Sequence, residues 1–228
     1  MFVSRFLKLF KTFSNGSIID IIEPLEKQLN LIKNQINLFK KQQNLYSKKL
    51  LSNFEGIYKL SKLVEFLKGK NIKQSETLKD GKFNVYSSKT KDNGIFGKLN
   101  TFIFDGEYIL ITSHGAYAGT VIYVNEKFST TSNCFVLKPD NSIVNTKFLF
   151  YLLKMKQPDL NTIAKGSAQG FLSNNDLSYF DINIPSLETQ NLLISIIEPL
   201  YKKIELLEQK EKILIKRFNY YKNILIKG

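Results

Sequence analysis

The sequence predicts an α+β fold: one mixed α/β domain carried between two long antiparallel coiled-coil helices. Three observations predict it. The segment Ile19-Asp-Ile-Ile-Glu-Pro-Leu25 returns as Ile194-Ser-Ile-Ile-Glu-Pro-Leu200, identical at six of seven positions and offset by 175 residues. Apolar residues recur through both copies at spacings that alternate between three and four. Between the copies the period changes to short β-rich runs punctuated by glycine steps.

The chain begins with Met1 to Phe13, a short amphipathic stretch interrupted by Arg5, Lys8 and Lys11, read as a leading helix within residues 1–16. Those charges break any continuous signal-peptide core. Residues 17–53 form the first long helix, with Ile22, Leu25, Leu29, Ile32, Ile36 and Phe39 on the seam, continued by Gln43, Tyr46 and Leu50. Residues 187–228 form the second, with Ile197, Leu200, Ile204, Leu207, Leu214, Phe218 and Tyr221 on the seam and Glu211 as its polar interruption. At about 1.5 Å per residue each rod is roughly 50 Å long. The first rod runs toward the intervening segment and the second away from it, so packing them together makes them antiparallel. Pro24 and Pro199 fit near helix starts, although a start at Glu188 turns Pro199 into an interior kink. Beside the seam, Leu31, Leu38, Leu45 and Leu206, Ile213, Tyr220 widen the apolar stripe, as a further docked surface would require.

Residues 54–186 make the globular domain. Strands are expected at Thr101–Phe104, Tyr108–Thr112, Thr120–Val124 and Asn133–Leu137, helices at Ser61–Lys68 and Thr146–Met155, and turns at Asp80-Gly81, Asn93-Gly94, Asp105-Gly106, Gly115 and Gly119.

The net charge of +13 makes a polyanion the first expected partner, with nucleic acid ahead of membrane. No run of about 18 apolar residues exists to span a bilayer, and the lone Cys134 excludes an internal disulfide, which fits a reducing, cytoplasmic setting. Residues 59–98 hold ten Lys against four acids, whereas residues 99–186 are nearly balanced. Lysines neutralise phosphates, while amides, hydroxyls and aromatics read base edges. The candidate DNA-contacting set is therefore Lys70, Lys73, Lys82, Tyr86, Ser87, Ser88, Lys89, Lys91 and Asn93 from the basic third, with Ser113, His114, Tyr117, Lys165, Ser167 and Gln169 from two later loops.

Catalytic signatures are missing from the sequence. A DNA amino-methyltransferase needs an Asn/Asp-Pro-Pro-aromatic motif and a glycine-rich cofactor loop, and Asn183-Ile-Pro185 is no substitute. Pro139-Asp140 and Pro158-Asp159 lack the following acid-x-Lys of a metal nuclease. His114 is the only histidine; its pairing with Ser113 or Cys134 for nucleophilic chemistry is the minor reading, and a structural or DNA-touching loop the major one. Phe171 reads as a core plug, with a wedge beside a base as the alternative. No metal and no cofactor is expected.

Several motifs occur in one order: Lys59-Leu-Ser-Lys-Leu-Val-Glu-Phe-Leu-Lys-Gly69, Phe104-Asp-Gly-Glu107, Gly115-Ala-Tyr-Ala-Gly119, Lys165 to Gln169, Leu172 to Leu177, and Ile184 to Gln190. In that order they resemble the specificity subunit of type I restriction-modification systems. The resemblance implies a non-catalytic subunit whose recognition domain, residues 54–186, binds one half of a split duplex-DNA target. It also implies that the helices set the gap between halves and dock methyltransferase subunits, and through them the restriction subunit. The usual plan alternates two recognition domains with two helices; here there is one domain, so a half form that homodimerises is expected. The alternative is an oligomerising structural protein from a truncated or silent specificity gene, with little productive DNA binding.

Overall fold

The computed structural model describes residues 19–52, 54–88, 94–166 and 170–227, which group into two compact units, 19–45 with 197–227 and 46–196. The leading segment lies outside the described residues.

The first unit is the helix pair. Helix α1 spans Ile19–Leu50 and helix α5 spans Leu187–Lys227. Leu25, Leu29, Ile32 and Ile36 pack with Leu207 and Leu214, flanked by Phe39, Phe218 and Tyr221. Residues near the start of α1 and near the end of α5 share this core, as an antiparallel pair requires. Lys40 Nζ lies 2.6 Å from Glu208, an exposed ion pair on one flank. The seam residue Tyr46 does not stay inside: it is exposed, and Ser47 and Leu51 are buried instead. A straight helix drifts about 20° per heptad from a strict seven-residue repeat, which moves the inward position one residue along. Both prolines are interior, Pro24 in α1 and Pro199 in α5; Pro199 cannot donate to the Ser195 carbonyl four residues back.

The second unit is built on a curled sheet. Its strands are β2 (Val64–Lys68), β3 (Phe83–Tyr86), β4 (Ile95–Leu99), β5 (Phe104–Thr112), β6 (Val121–Thr130) and β7 (Cys134–Pro139), in the order β2-β7-β5-β6-β3-β4. A separate ribbon pairs β1 (Ile57–Lys59) with β8 (Asp181–Asn183). All pairs in the large sheet are antiparallel except β3 with β6. Although β2 stands first in that order, Lys70 just beyond it bridges Thr131 in parallel and donates its N–H to Thr130 O at 3.0 Å. The sheet thus curls until its first strand meets the end of its fourth.

Gly69 permits that closure. A Cβ built there would stand 2.3 Å from Thr130 O and 2.4 Å from Thr131 O, distances only a glycine tolerates. Inside the curl, Phe128 is fully buried against Tyr86, Phe104 and Tyr108, with ring centroids 5.2–5.7 Å apart.

Helix α2 covers Thr146–Met155, as expected from its apolar periodicity. The Asn145 side chain caps it by accepting from the N–H groups of Lys147 and Phe148. Phe148, Leu149, Leu152 and Leu153 are completely buried. Helices α3 (Gln157–Gly166) and α4 (Asn174–Ser178) follow, the latter opened by a Ser173–Asp176 capping box. Gln190 in the first turns of α5 is fully buried: its Nε2 donates to Ile143 O and Pro185 O while its Oε1 accepts from Asn145 N. The glutamine of the Ile184 to Gln190 motif therefore ties α5 to the cap of α2.

Three expectations are corrected. Ser61–Lys68 is a 3-10 turn, Leu60–Lys62, followed by strand β2, rather than a helix. Asp105-Gly106 lies inside β5, where Gly106 takes φ 114° in mid-strand, rather than in a turn. The strand expected over Thr101–Phe104 begins only at Phe104, while that from Thr120 runs on to Thr130. In each case pairing with a neighbouring strand outweighs the local pattern.

Cys134 is buried at the start of β7, and burial pushes its thiol up to about 12. The protein is expected to resist alkylation by iodoacetamide at pH 8 until denaturant unfolds it, because the thiolate is the nucleophile. The sign for stability follows: the raised folded value favours the folded state below the ordinary thiol range. That contribution fades as pH rises toward 12. Rapid, stoichiometric labelling of the folded chain would contradict this placement.

Candidate nucleic-acid interface

Four segments converge where the sheet curls. Strand β3 ends at Tyr86 and continues into Ser87 and Ser88; β5 ends at Thr112 and continues into Ser113 and His114; the β6–β7 turn supplies Thr131 to Asn133; and Lys70 follows β2. The Asn133 carbonyl joins two of them, accepting from Ser88 Oγ at 2.8 Å and from Ser113 N–H at 2.9 Å. Thr131 Oγ1 donates to Ser87 Oγ at 2.8 Å, and Thr131 N–H donates to Tyr86 O.

A fifth segment comes from the far side of the sequence. His114 forms a β-bridge with Phe171, Gly115 N–H donates to Gly170 O at 3.2 Å, and Leu172 N–H donates to Ser113 O. The rings of His114 and Phe171 meet at a tilt of 56° with centroids 4.6 Å apart. Leu172, fully buried, is the core plug; Phe171 itself stays half-exposed against the histidine, which corrects the expectation for that residue.

The glycine loop between β5 and β6 is held from beneath. Gly119 has φ +87°, and a Cβ there would lie 2.9 Å from Asn161 N on helix α3. Asn161 Nδ2 donates to Ala118 O, and Thr112 and Thr120 hydroxyls both donate to Tyr117 O. Gln157 Oε1 accepts from Val121 N–H at 3.1 Å and from Lys154 Nζ at 2.9 Å. Lys154 also donates to Val121 O, and burial pulls its ammonium below the ordinary lysine range. With its backbone fixed, the loop presents Tyr117, 54% exposed, and helix α3 presents Lys165 in its last turn.

Of the residues singled out from sequence, Lys70, Ser88, Ser113 and His114 come together here, with Tyr117 and Lys165 on the adjoining loop and helix. Tyr86 and Ser87 are corrected: both are buried, Tyr86 donating its hydroxyl to Glu126 at 2.8 Å within the aromatic core. Burial first, then Glu126, holds its phenol well above the ordinary tyrosine range. Ser113 is also buried, at 2% exposure, with its Oγ 2.7 Å from His114 Nδ1. Lys73 and Lys82 lie elsewhere: Lys73 opens the 3-10 turn Gln74–Glu76 packed on β4, and Lys82 precedes β3. Lys89, Lys91, Asn93, Ser167 and Gln169 lie outside the described residues.

One exposed side chain at the convergence escaped the sequence reading. Asn133 sits in the β6–β7 turn and presents its amide to solvent, yet the pattern places it at the start of a strand. Its signal was the Thr131-Ser-Asn133 triplet between two apolar runs. Among the described residues no group of three His, Cys, Asp or Glu is placed to hold a metal, and no helix is long and apolar enough to cross a membrane.

Residues 52–217 match the family described as Type I restriction modification DNA specificity domain. A putative type I specificity subunit of Mycoplasma pneumoniae is 34% identical over 166 residues, covering 72% of this chain and 44% of that protein. The type I restriction enzyme MpnII specificity subunit of the same organism is 34% identical over 149 residues, covering 64% and 44%. The chain thus spans about half the length of the curated relatives it matches. The crystal structure of a type I restriction-modification S subunit from M. genitalium superposes with a TM-score of 0.79 over 90% of this chain and 59% of that one, at 20% identity, a likeness of fold.

Proposed function

Because this chain belongs to the type I restriction modification DNA specificity domain family, we propose that it is a non-catalytic specificity subunit. It reads one half of a bipartite duplex-DNA target and docks methyltransferase subunits through its helix pair. The observation that carries this reading is the convergence of five segments on one polar, solvent-facing end of the curled sheet. There Lys70 and Lys165 supply phosphate contacts, and Ser88, His114, Tyr117 and Asn133 supply base-edge chemistry. Phosphate contacts fix orientation and give a steep salt dependence; the short polar side chains discriminate bases.

The site also suits its task mechanically. Backbone bonds involving Asn133, Thr131 and Gly170 brace the turns that carry Ser88, His114 and Asn133, so little ordering entropy is lost on binding. The helix pair supports the second part of the proposal: α1 and α5 carry matching apolar residues outside their own seam.

The test is reconstitution. A mixture with the methyltransferase subunits and S-adenosylmethionine is expected to methylate DNA at one defined motif, while the chain alone methylates nothing. Binding that is equally tight to all duplexes and vanishes at moderate salt would instead favour an oligomerising structural protein that no longer reads DNA.

A further inference from the structure

We propose that His114 is the specificity-determining residue at one purine of the target, acting as a hydrogen-bond donor of fixed tautomer toward the purine's major-groove acceptors. The inference rests on the DNA-reading function proposed above and adds an atom-level role to it.

The argument starts from Ser113. Its side chain is buried, and its Oγ lies 2.7 Å from His114 Nδ1, the one hydrogen-bond partner of that hydroxyl among the described residues. A hydroxyl has a single proton and two acceptor lone pairs. If His114 Nδ1 carried the proton and donated to Ser113, the serine hydrogen would be left buried without an acceptor among the described residues, a costly arrangement. The serine therefore donates to Nδ1. In the neutral imidazole the proton then sits on Nε2, which is left as a donor.

The ring is also oriented. Phe171 packs against it with centroids 4.6 Å apart and the ring planes tilted by 56°, and the backbone bridge between the two residues fixes their separation. Exposed as it is, His114 directs a donor of defined position outward from the convergence. Purines offer N7 there, guanine adds O6 and thymine offers O4, whereas cytosine offers an N4 donor, which an Nε2–H cannot engage. The donor therefore rejects a cytosine, and a loss on 7-deaza substitution assigns its acceptor to a purine N7 rather than to thymine O4.

The experiment selects duplexes from a randomised library with the full chain in complex with its methyltransferase subunits, at one fixed salt concentration. Wild type is expected to yield a motif with a purine at one position that 7-deaza substitution weakens about tenfold or more. His114→Ala is expected to relax that position alone, with the rest of the motif unchanged and no further penalty from 7-deaza substitution. His114→Gln, which keeps a donor without the imidazole ring, is expected to recover part of the preference. An unchanged motif in His114→Ala, or a uniform loss of affinity for every sequence, overturns the inference. A wild-type complex that selects no motif overturns the proposed function and this inference together.

Discussion

Gly69→Ala is expected to lower stability by about 3 kcal/mol, a fall of about 6–12 °C in the thermal midpoint for a chain of this size. The added methyl would meet Thr130 O at 2.3 Å, Thr131 O at 2.4 Å and Thr130 Oγ1 at 2.5 Å. Two of those atoms are backbone, held by the bond from Lys70 N–H to Thr130 O, by the pairing of Thr130 with Tyr86 in β3 and by the bond from Thr131 N–H to Tyr86 O, so no side chain can turn aside. Replacing a glycine also narrows the unfolded ensemble, but that gain is only about 0.4–1 kcal/mol. The overlap decides the sign. Gly166→Ala provides the opposite case: it ends helix α3 with nothing within 4 Å of its would-be Cβ, so the entropic gain stands alone and stability rises slightly. Thermal unfolding of both variants checks the pair, and an unchanged midpoint in Gly69→Ala would contradict the closure of the sheet at Thr130.

The same closure explains what was legible in the sequence and what was not. The two long helices were readable because a seam of heptads and an identical seven-residue segment are local signals repeated twice. Thr146–Met155 was readable for a similar reason, with Asn145 as its cap and an apolar face of the right period. Ser61–Lys68 was not, since its leucines carry a helical spacing while β2 is decided by pairing with β7, some seventy residues away. Gly106 misled in the same way: glycine beside aspartate is ordinary turn chemistry, and only the partner strand keeps it extended.

The candidate site was half legible. Residue types pointed to Lys70, Ser88, His114 and Lys165, because charge and hydroxyl content are properties of composition. Sequence could not show that Tyr86 turns into the aromatic core, since alternation along β3 fixes facing only once the register with β6 is known. Nor could it bring Phe171 to His114 or place Asn133 at the junction, as those contacts join segments that are distant along the chain.

The second large effect is expected on the helix pair, from Leu38→Glu combined with Ile213→Glu. Leu31, Leu38 and Leu45 on α1, and Leu206, Ile213 and Tyr220 on α5, are 55–65% exposed despite their apolar character. Each residue of the first set corresponds to one of the second under the 175-residue repeat. In an antiparallel pair, equivalent positions of the two helices fall on the same side of the plane through both axes, so the two rows share one face. The Lys40–Glu208 ion pair, one position past the seam, lies on the opposite side. An apolar face of this breadth on an exposed helix pair fits a partner surface. Because the side chains are exposed, the double substitution is expected to leave folding within about 0.5 kcal/mol per site. On the docking proposed above, loss of two interface anchors at about 2 kcal/mol each is expected to weaken methyltransferase association roughly a thousandfold. DNA binding by the chain alone should persist, so the variant uncouples reading from methylation. Lys40→Ala, which removes only an exposed ion pair on the other side, is expected to leave assembly intact. Gel filtration with the methyltransferase subunits reads both outcomes, and normal assembly of the double variant would move the docking surface away from this face.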